Sequence, residues 1–221
     1  MRTQPHSLYS KGVAPGKLCL LGRYLAPGAT LDVGCGNGLY GLHVAALGSE
    51  VMQIDIEDRR DDRARHLPFR VMDAQRLEFP DREYANVMAF DIMEHLDDDV
   101  LFLKEIRRIC RGRVLLSVPN ADDEQPNRIA LTHVHHTDKT HRREYTKEGL
   151  VDLLNRTGFQ VLEVRPNLNT ALLYFARALA KERLLAKAAA KLISMQCRLF
   201  EKVGLFENRC VGDWYCAAES A

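Results

Sequence analysis

Short apolar runs alternate along this chain with stretches whose apolar residues recur every three to four positions. Runs of the first kind predict buried strands at Leu31 to Gly34, Glu50 to Asp55, Phe69 to Asp73, Ala85 to Asp91, Arg113 to Val118 and Phe159 to Val164, with Val211 to Ala217 as a last candidate. Between them, helical spacing appears at Lys17 to Leu25, ended by Pro27-Gly28, and at Leu39 to Leu47, ended by Gly48. A third helix begins at Asp97-Asp98-Asp99, runs through Leu101, Leu103, Ile106 and Ile109, and is expected to close at Arg111-Gly112. Thr146 caps a fourth, Lys147 to Thr157, with Gly158 as its terminator.

Strands that alternate with helices predict an α/β fold: a doubly wound Rossmann-like sheet with helices on both faces. The fourth run is nearly all apolar, which suits a central strand. Glu57 to His66 is dense in both charges and too short for a full crossover helix, so it reads as a solvated connection. About 45 residues separate the sixth run from the last one, too many for a plain loop. They predict a helical insert at about 167–210 within a single domain spanning 1–221. Its 172–203 stretch carries an apolar stripe (Leu185, Ala188, Leu192, Met195, Leu199, Val203) opposite Lys187, Lys191, Arg198 and Lys202. Such a helix packs on the sheet or on a second subunit, or lies on a membrane surface.

Composition narrows the class. The 221 residues are 46% hydrophobic and 28% charged, with a formal net charge of +1. That balance is ordinary for a soluble domain and gives no whole-surface field for nucleic acid. Six scattered cysteines without a C-x-x-C pair fit reduced thiols in the cytoplasm. The polar start, Met1 to Gly16, has no secretory signal pattern, and no apolar run is long enough to span a bilayer.

The candidate chemistry begins at Thr30-Leu31-Asp32-Val33-Gly34-Cys35-Gly36-Asn37-Gly38-Leu39-Tyr40-Gly41. Three glycines at alternate positions between a strand and a helix allow sharp turning and close backbone approach to a ligand. The dinucleotide fingerprint fails because Leu39 stands where glycine is required, and no G-K-[ST] follows. Asp32, two residues before the first glycine, disfavours pyrophosphate and favours a cofactor with a positive charge. Asp55 lies 21 residues beyond Gly34 at the end of the second strand, where a carboxylate can accept from ribose hydroxyls.

Leu31-Asp32-Val33-Gly34-Cys35-Gly36-Asn37-Gly38 resembles motif I of the class I S-adenosylmethionine-dependent methyltransferases. Over roughly residues 17–165 the chain is similar to their type 11 and type 23 subfamilies. The resemblance implies a mostly parallel sheet with an antiparallel last strand, and S-adenosyl-L-methionine as cofactor. It implies Asp32, Gly34, Gly36 and Gly38 around the methionine end, Asp55 and Ile56 at the ribose, Asp73 and Ala74 at the adenine, and Phe90 at the end of the fourth strand. The expected activity is methyl transfer to a hydroxyl of a small-molecule or biosynthetic intermediate, with no nucleic-acid partner favoured.

A hydroxyl acceptor must lose a proton, and histidine titrates in the right range. His95, His133 and His136 are the candidate bases, from a set that also holds His135 and His141. No metal ligand is assigned. Asp91, Glu94 and His95 with one of His133, His135 or His136 would resemble the carboxylate–histidine site of small-RNA 3′-terminal 2′-O-methyltransferases. Asp91 departs from the glutamate expected there, and no RNA-binding domain accompanies it. A nucleotide-binding protein of the same fold without catalysis is the other alternative.

Overall fold

A computed structural model describes residues 13–121, 140–170 and 209–220. The chain divides into two compact units, one of Met1–Asp122, Asp138–Arg165 and Asp213–Ala221, the other of Asp123–Thr137 and Pro166–Gly212. The 172–203 stripe lies outside the described residues, as do His133, His135 and His136.

The first unit is built on strands β1 (Thr30–Val33), β2 (Val51–Asp55), β3 (Phe69–Val71), β4 (Tyr84–Phe90), β5 (Cys110–Pro119), β6 (Phe159–Thr170) and β7 (Arg209–Ser220). The last two extend beyond it. These seven described strands form one sheet in the order β3-β2-β1-β4-β5-β7-β6. β1 pairs in parallel with β2 and β4, β2 with β3, and β4 with β5, while β7 runs antiparallel to β5. The order reverses between β1 and β4, whose carboxyl ends therefore flank the topological switch point where open α/β sheets bind ligands.

Helices α1 (Pro15–Tyr24), α2 (Leu39–Ala46), α3 (Asp99–Ile109) and α4 (Lys147–Arg156) complete the described elements. Leu20 and Leu21 of α1 and Val44 of α2 share a core with Met88 and Phe90 of β4, Leu115 of β5, and Tyr215 and Ala217 of β7. Those strand residues have one parity and face one side. Val87, Ala89, Val114 and Leu116, of the other parity, are just as buried, so the sheet is covered on both faces. α3 packs on β5 and buries Phe102, Leu103, Ile106 and Ile109. Its N-cap Asp98 accepts from the Leu101 amide at 2.8 Å, and Thr146 caps α4 by accepting from Gly149 at 3.0 Å. No helix among the described residues is long and apolar enough to cross a membrane.

Two local expectations need correction. Arg111-Gly112 does not close α3: the helix stops at Ile109 and β5 starts at Cys110. Gly112 marks an irregularity in the β4–β5 register, and a Cβ there would stand 2.5 Å from the Ala85 carbonyl oxygen. Its glycine is a strand feature set by close backbone approach. Nor is Glu57 to His66 merely solvated. Helix is absent there, as the sequence suggested, but Arg60 is buried. Its guanidinium stacks 4.2 Å from the Phe69 ring, pairs with Asp58 at 3.0 Å, and donates to the Leu67 carbonyl at 2.9 Å. Arg60 anchors this connection together with the fully buried Ala64, which a charge count cannot reveal.

These contacts separate two glycines. Gly112→Val should destabilise the fold by about 1–3 kcal/mol, because backbone is the neighbour that must move. Gly22→Ala, in helix α1 with open space around the new methyl group, should stabilise it by about 0.4–1 kcal/mol. Urea unfolding of the two variants checks both signs, and equal stabilities would refute the packing argument.

Candidate active site

The glycine loop leaves β1 at Val33 and enters α2 at Leu39. All three glycines are left-handed, with φ of 66° at Gly34, 51° at Gly36 and 73° at Gly38. A Cβ at Gly34 would overlap the Ile92 side chain, and one at Gly38 would stand 2.8 Å from the Ala64 methyl group. At Gly36 a Cβ would meet nothing within 4 Å, so this glycine leaves backbone facing open space. The loop is held by Cys35 N–H donating to the Ile54 carbonyl at 3.0 Å and Gly36 N–H donating to Asp55 Oδ2 at 2.8 Å. From the Arg60-anchored connection, Asp61 N–H donates to the Asn37 carbonyl at 3.0 Å.

Beneath the loop lies a polar layer. Asp32 is 3% exposed, and Gln53 of β2 is fully buried. Gln53 Nε2 donates to Asp32 Oδ2 and to the Gly38 carbonyl, each at 3.0 Å. A side chain at Gly41 would collide with the Gln53 amide, so the last residue of the glycine stretch is there for packing. Asp32 thus supports the loop from below. Burial pushes its carboxyl up to about 7, against lowering by hydrogen bonds from Gln53 and the Gly41 backbone. Burial also raises the Cys35 thiol far above its ordinary range, which leaves it unsuited to act as a nucleophile at neutral pH.

The other candidates gather at the carboxyl edge. Asp55 accepts from Gly36 with one oxygen and from the Ile56 amide, at 2.7 Å, with the other. Ile56 and Val71, at the ends of neighbouring β2 and β3, are large apolar side chains left 66% exposed. Asp73 is exposed and accepts from the Gln75 amide at 2.9 Å, while Ala74 is buried. Phe90 packs edge-on against Tyr40, with ring centroids 5.0 Å apart.

Several participants escaped the sequence reading. Lys17 of α1 is buried, lies over the Tyr40 and Phe90 rings, and ion-pairs with Asp91. Asp91 takes a left-handed φ of 54°, an uncommon backbone for a residue with a side chain. Ser117 of β5 holds it there by donating to Asp91 Oδ1 at 2.6 Å and accepting from its amide at 3.0 Å. Lys17 gave no signal beyond helical spacing. Gln53 was visible as a polar residue inside an apolar run.

A short 3₁₀ turn, Met93–His95, follows β4. Glu94 is 2% exposed, and burial pushes its carboxyl up to about 8, with Asp91 adding to the rise. His95 Nδ1 lies 3.0 Å from the Thr140 hydroxyl and 3.3 Å from its carbonyl oxygen. The His95 and His141 rings meet edge-on at 4.6 Å. Thus His95 joins His141, while Asp91 is engaged by Lys17 and Ser117.

Comparison with known proteins bears on the family and the fold. The sequence profile described as "Methyltransferase domain" matches residues 10–164. A Mycobacterium tuberculosis protein named probable S-adenosylmethionine-dependent methyltransferase is 32% identical over 145 residues, covering 61% of this chain and 51% of that one. An O-methyltransferase of Aspergillus sclerotiorum is 28% identical over 146 residues, covering 60% of this chain and 55% of its own length. The chain therefore spans about half the length of these curated relatives. The crystal structure of a SAM-dependent methyltransferase from Archaeoglobus fulgidus superposes with a TM-score of 0.64 at 19% identity, covering 92% of this chain and 91% of that one, a likeness of fold alone.

The Asp32 carboxyl makes a stability prediction. Its ordinary value is 3.8 and its folded value about 7, so the folded state holds the proton more tightly. Its contribution is complete below about pH 4 and is lost as pH rises through about 7. Asp32→Asn should gain stability relative to the parent between pH 4.5 and 8, measured by urea unfolding. A pH-independent difference would contradict the buried-carboxyl account.

With a profile match over more than half its length, joined to the strand order and the glycine loop at the switch point, the chain belongs to the methyltransferase domain family.

Proposed function

We propose that this chain is an S-adenosylmethionine-dependent methyltransferase acting on a hydroxyl of a small-molecule or biosynthetic intermediate. The observation that carries the reading is Gly36, whose open left-handed backbone is tied directly to Asp55. A cofactor lying against the loop could approach the chain there without meeting a Cβ. Each carboxylate oxygen of Asp55 has capacity beyond its one amide bond, so ribose hydroxyls can still donate to it.

Within this reading, Gly34, Gly36 and Gly38 surround the methionine end, with Asp32 acting through the loop it supports. Ile56 offers exposed apolar surface to a flat ring, which fits an adenosine better than a second phosphate. Val71 extends that surface. Asp73 offers a carboxylate to the adenine amino group, and Ala74 and Phe90 close the pocket walls. S-adenosylmethionine supplies a methyl group already activated on a sulfonium sulfur. The protein's task is then to align the acceptor, exclude water and handle one proton. Orientation alone can contribute about 7–11 kcal/mol in well-aligned systems. Glu94, His95 and His141 gather on the side of the site where the acceptor's hydroxyl loses its proton. The name of the Aspergillus relative supports oxygen as the acceptor atom.

Isothermal titration tests the cofactor. S-adenosylmethionine should bind and NAD should not; heat with NAD alone would sink the reading. Asp55→Ala should weaken S-adenosylmethionine binding about ten- to hundredfold, as expected for a charged acceptor and a loop tether. Parent-like affinity in that variant would remove the ribose assignment.

A further inference from the structure

Glu94, His95 and His141 each present one ligand atom, and these atoms all lie within 4.8 Å of one another. Two imidazoles and one carboxylate form a donor set suited to first-row divalent cations such as manganese, iron(II), cobalt or zinc. Bonds of about 2.1 Å put ligand atoms about 3–3.5 Å apart, so side-chain shifts of about an ångström would close the set.

A second observation points to a ligand. Glu94 Oε2 is shut off from solvent and meets no hydrogen-bond donor among the described residues. An orphaned carboxylate oxygen in a buried site is costly. His95 also has the outer support typical of a metal-bound imidazole. Its Nδ1 faces the Thr140 carbonyl and hydroxyl, which favours a proton on that nitrogen and leaves Nε2 as the ligand atom.

The backbone that follows His141 is pinned at two points. Arg142 N–H donates to the Glu94 carbonyl at 2.9 Å, and Tyr145 N–H to the Pro119 carbonyl at 3.1 Å. The Tyr145 carbonyl accepts from Trp214 Nε1 at 3.0 Å, and its hydroxyl donates to Asp99 at 3.1 Å. Arg143 pairs with Asp99 at 3.0 Å and Arg142 pairs with Asp97. The cluster also stands beside the glycine loop, since Ile92, two residues before Glu94, packs on Gly34.

We propose that Glu94, His95 and His141 bind one divalent transition-metal ion, whose open positions receive the oxygen of the methyl acceptor. The second half of this statement rests on the methyltransferase reading above. The ion lowers the pKa of the hydroxyl it binds, so that the O–H proton passes to solvent. An oxygen lone pair then forms the new O–C bond, and the S–C bonding pair leaves on sulfur, which becomes a neutral thioether.

The test uses the full chain, stripped with a chelator and titrated with Co²⁺ while visible d–d absorption is followed. One equivalent should bind. His141→Gln and Glu94→Gln should each weaken binding at least about tenfold, with S-adenosylmethionine affinity by calorimetry retained in His141→Gln as the sign of an intact fold. No saturable absorption in the parent would overturn the site. So would unchanged Co²⁺ affinity in both variants, which would put the ion on other histidines. Co²⁺ binding without S-adenosylmethionine binding would leave the metal site standing and remove the methyltransferase reading; the reverse result would do the opposite.

Discussion

The arrangement of this molecule depends on a buried polar contact, Gln53 to Asp32 and to the Gly38 carbonyl. Three consecutive left-handed glycines, at every second position, are conformationally costly unless something over-determines them. The Gln53 amide does so from β2, one strand away, by joining the end of β1 to the start of α2. The Asp55 carboxylate adds a second tie two residues further along the same strand. A single strand therefore fixes both the shape of the loop and the carboxylate beside it. Burial of Asp32 is the cost of this layer, and its raised carboxyl pKa is the measure of that cost.

The opposite wall of the site is built by another route. β4 and β5 lie side by side, and Ser117 holds Asp91 in a left-handed conformation beyond the strand end. Lys17 comes from α1, 74 residues away in sequence, to pair with that carboxylate over two aromatic rings. The chain then turns through Glu94 and His95 and meets the pinned stretch around His141. Two carboxylates three residues apart thus have different surroundings: Asp91 is paired and half-exposed, while Glu94 is buried with an oxygen left unpartnered. That contrast gives the two residues different chemistry.

Much of the fold was legible because its signals are local. Apolar runs marked every described strand of the sheet, though β6 runs six residues past the predicted end at Val164. Thr146 announced its helix by cap chemistry, and Asp97-Asp98-Asp99 announced theirs by negative charge at its start. Strand order could not be read from periodicity, and the resemblance carried by residues 31–38 implied only a mostly parallel sheet with an antiparallel last strand. The misplaced end of α3 shows the limit of punctuation rules. Gly112 looks like a terminator, but its need for glycine arises from Ala85 on a neighbouring strand. In the site, the glycines and Asp55 stood out by spacing. Lys17, Ser117 and the pairing of His95 with His141 did not, since each depends on segments brought together only by the fold. His141 was one histidine among several, and the hydrogen bonds of Arg142 and Tyr145 select it.

The central claim is that the buried Gln53 contact holds the loop in a cofactor-ready shape. Removing the amide takes one donor from each of two buried acceptors, leaving the Asp32 carboxyl with the Gly41 amide and the Gly38 carbonyl with the Leu42 amide, at about 0.5–1.5 kcal/mol for each bond lost. The most direct measurement is the S-adenosylmethionine affinity of Gln53→Leu, taken by calorimetry at a temperature where parent and variant are both folded by circular dichroism. The account predicts binding at least about tenfold weaker than the parent, since about 1.4 kcal/mol of lost loop order corresponds to that factor. Affinity equal to the parent's would contradict it.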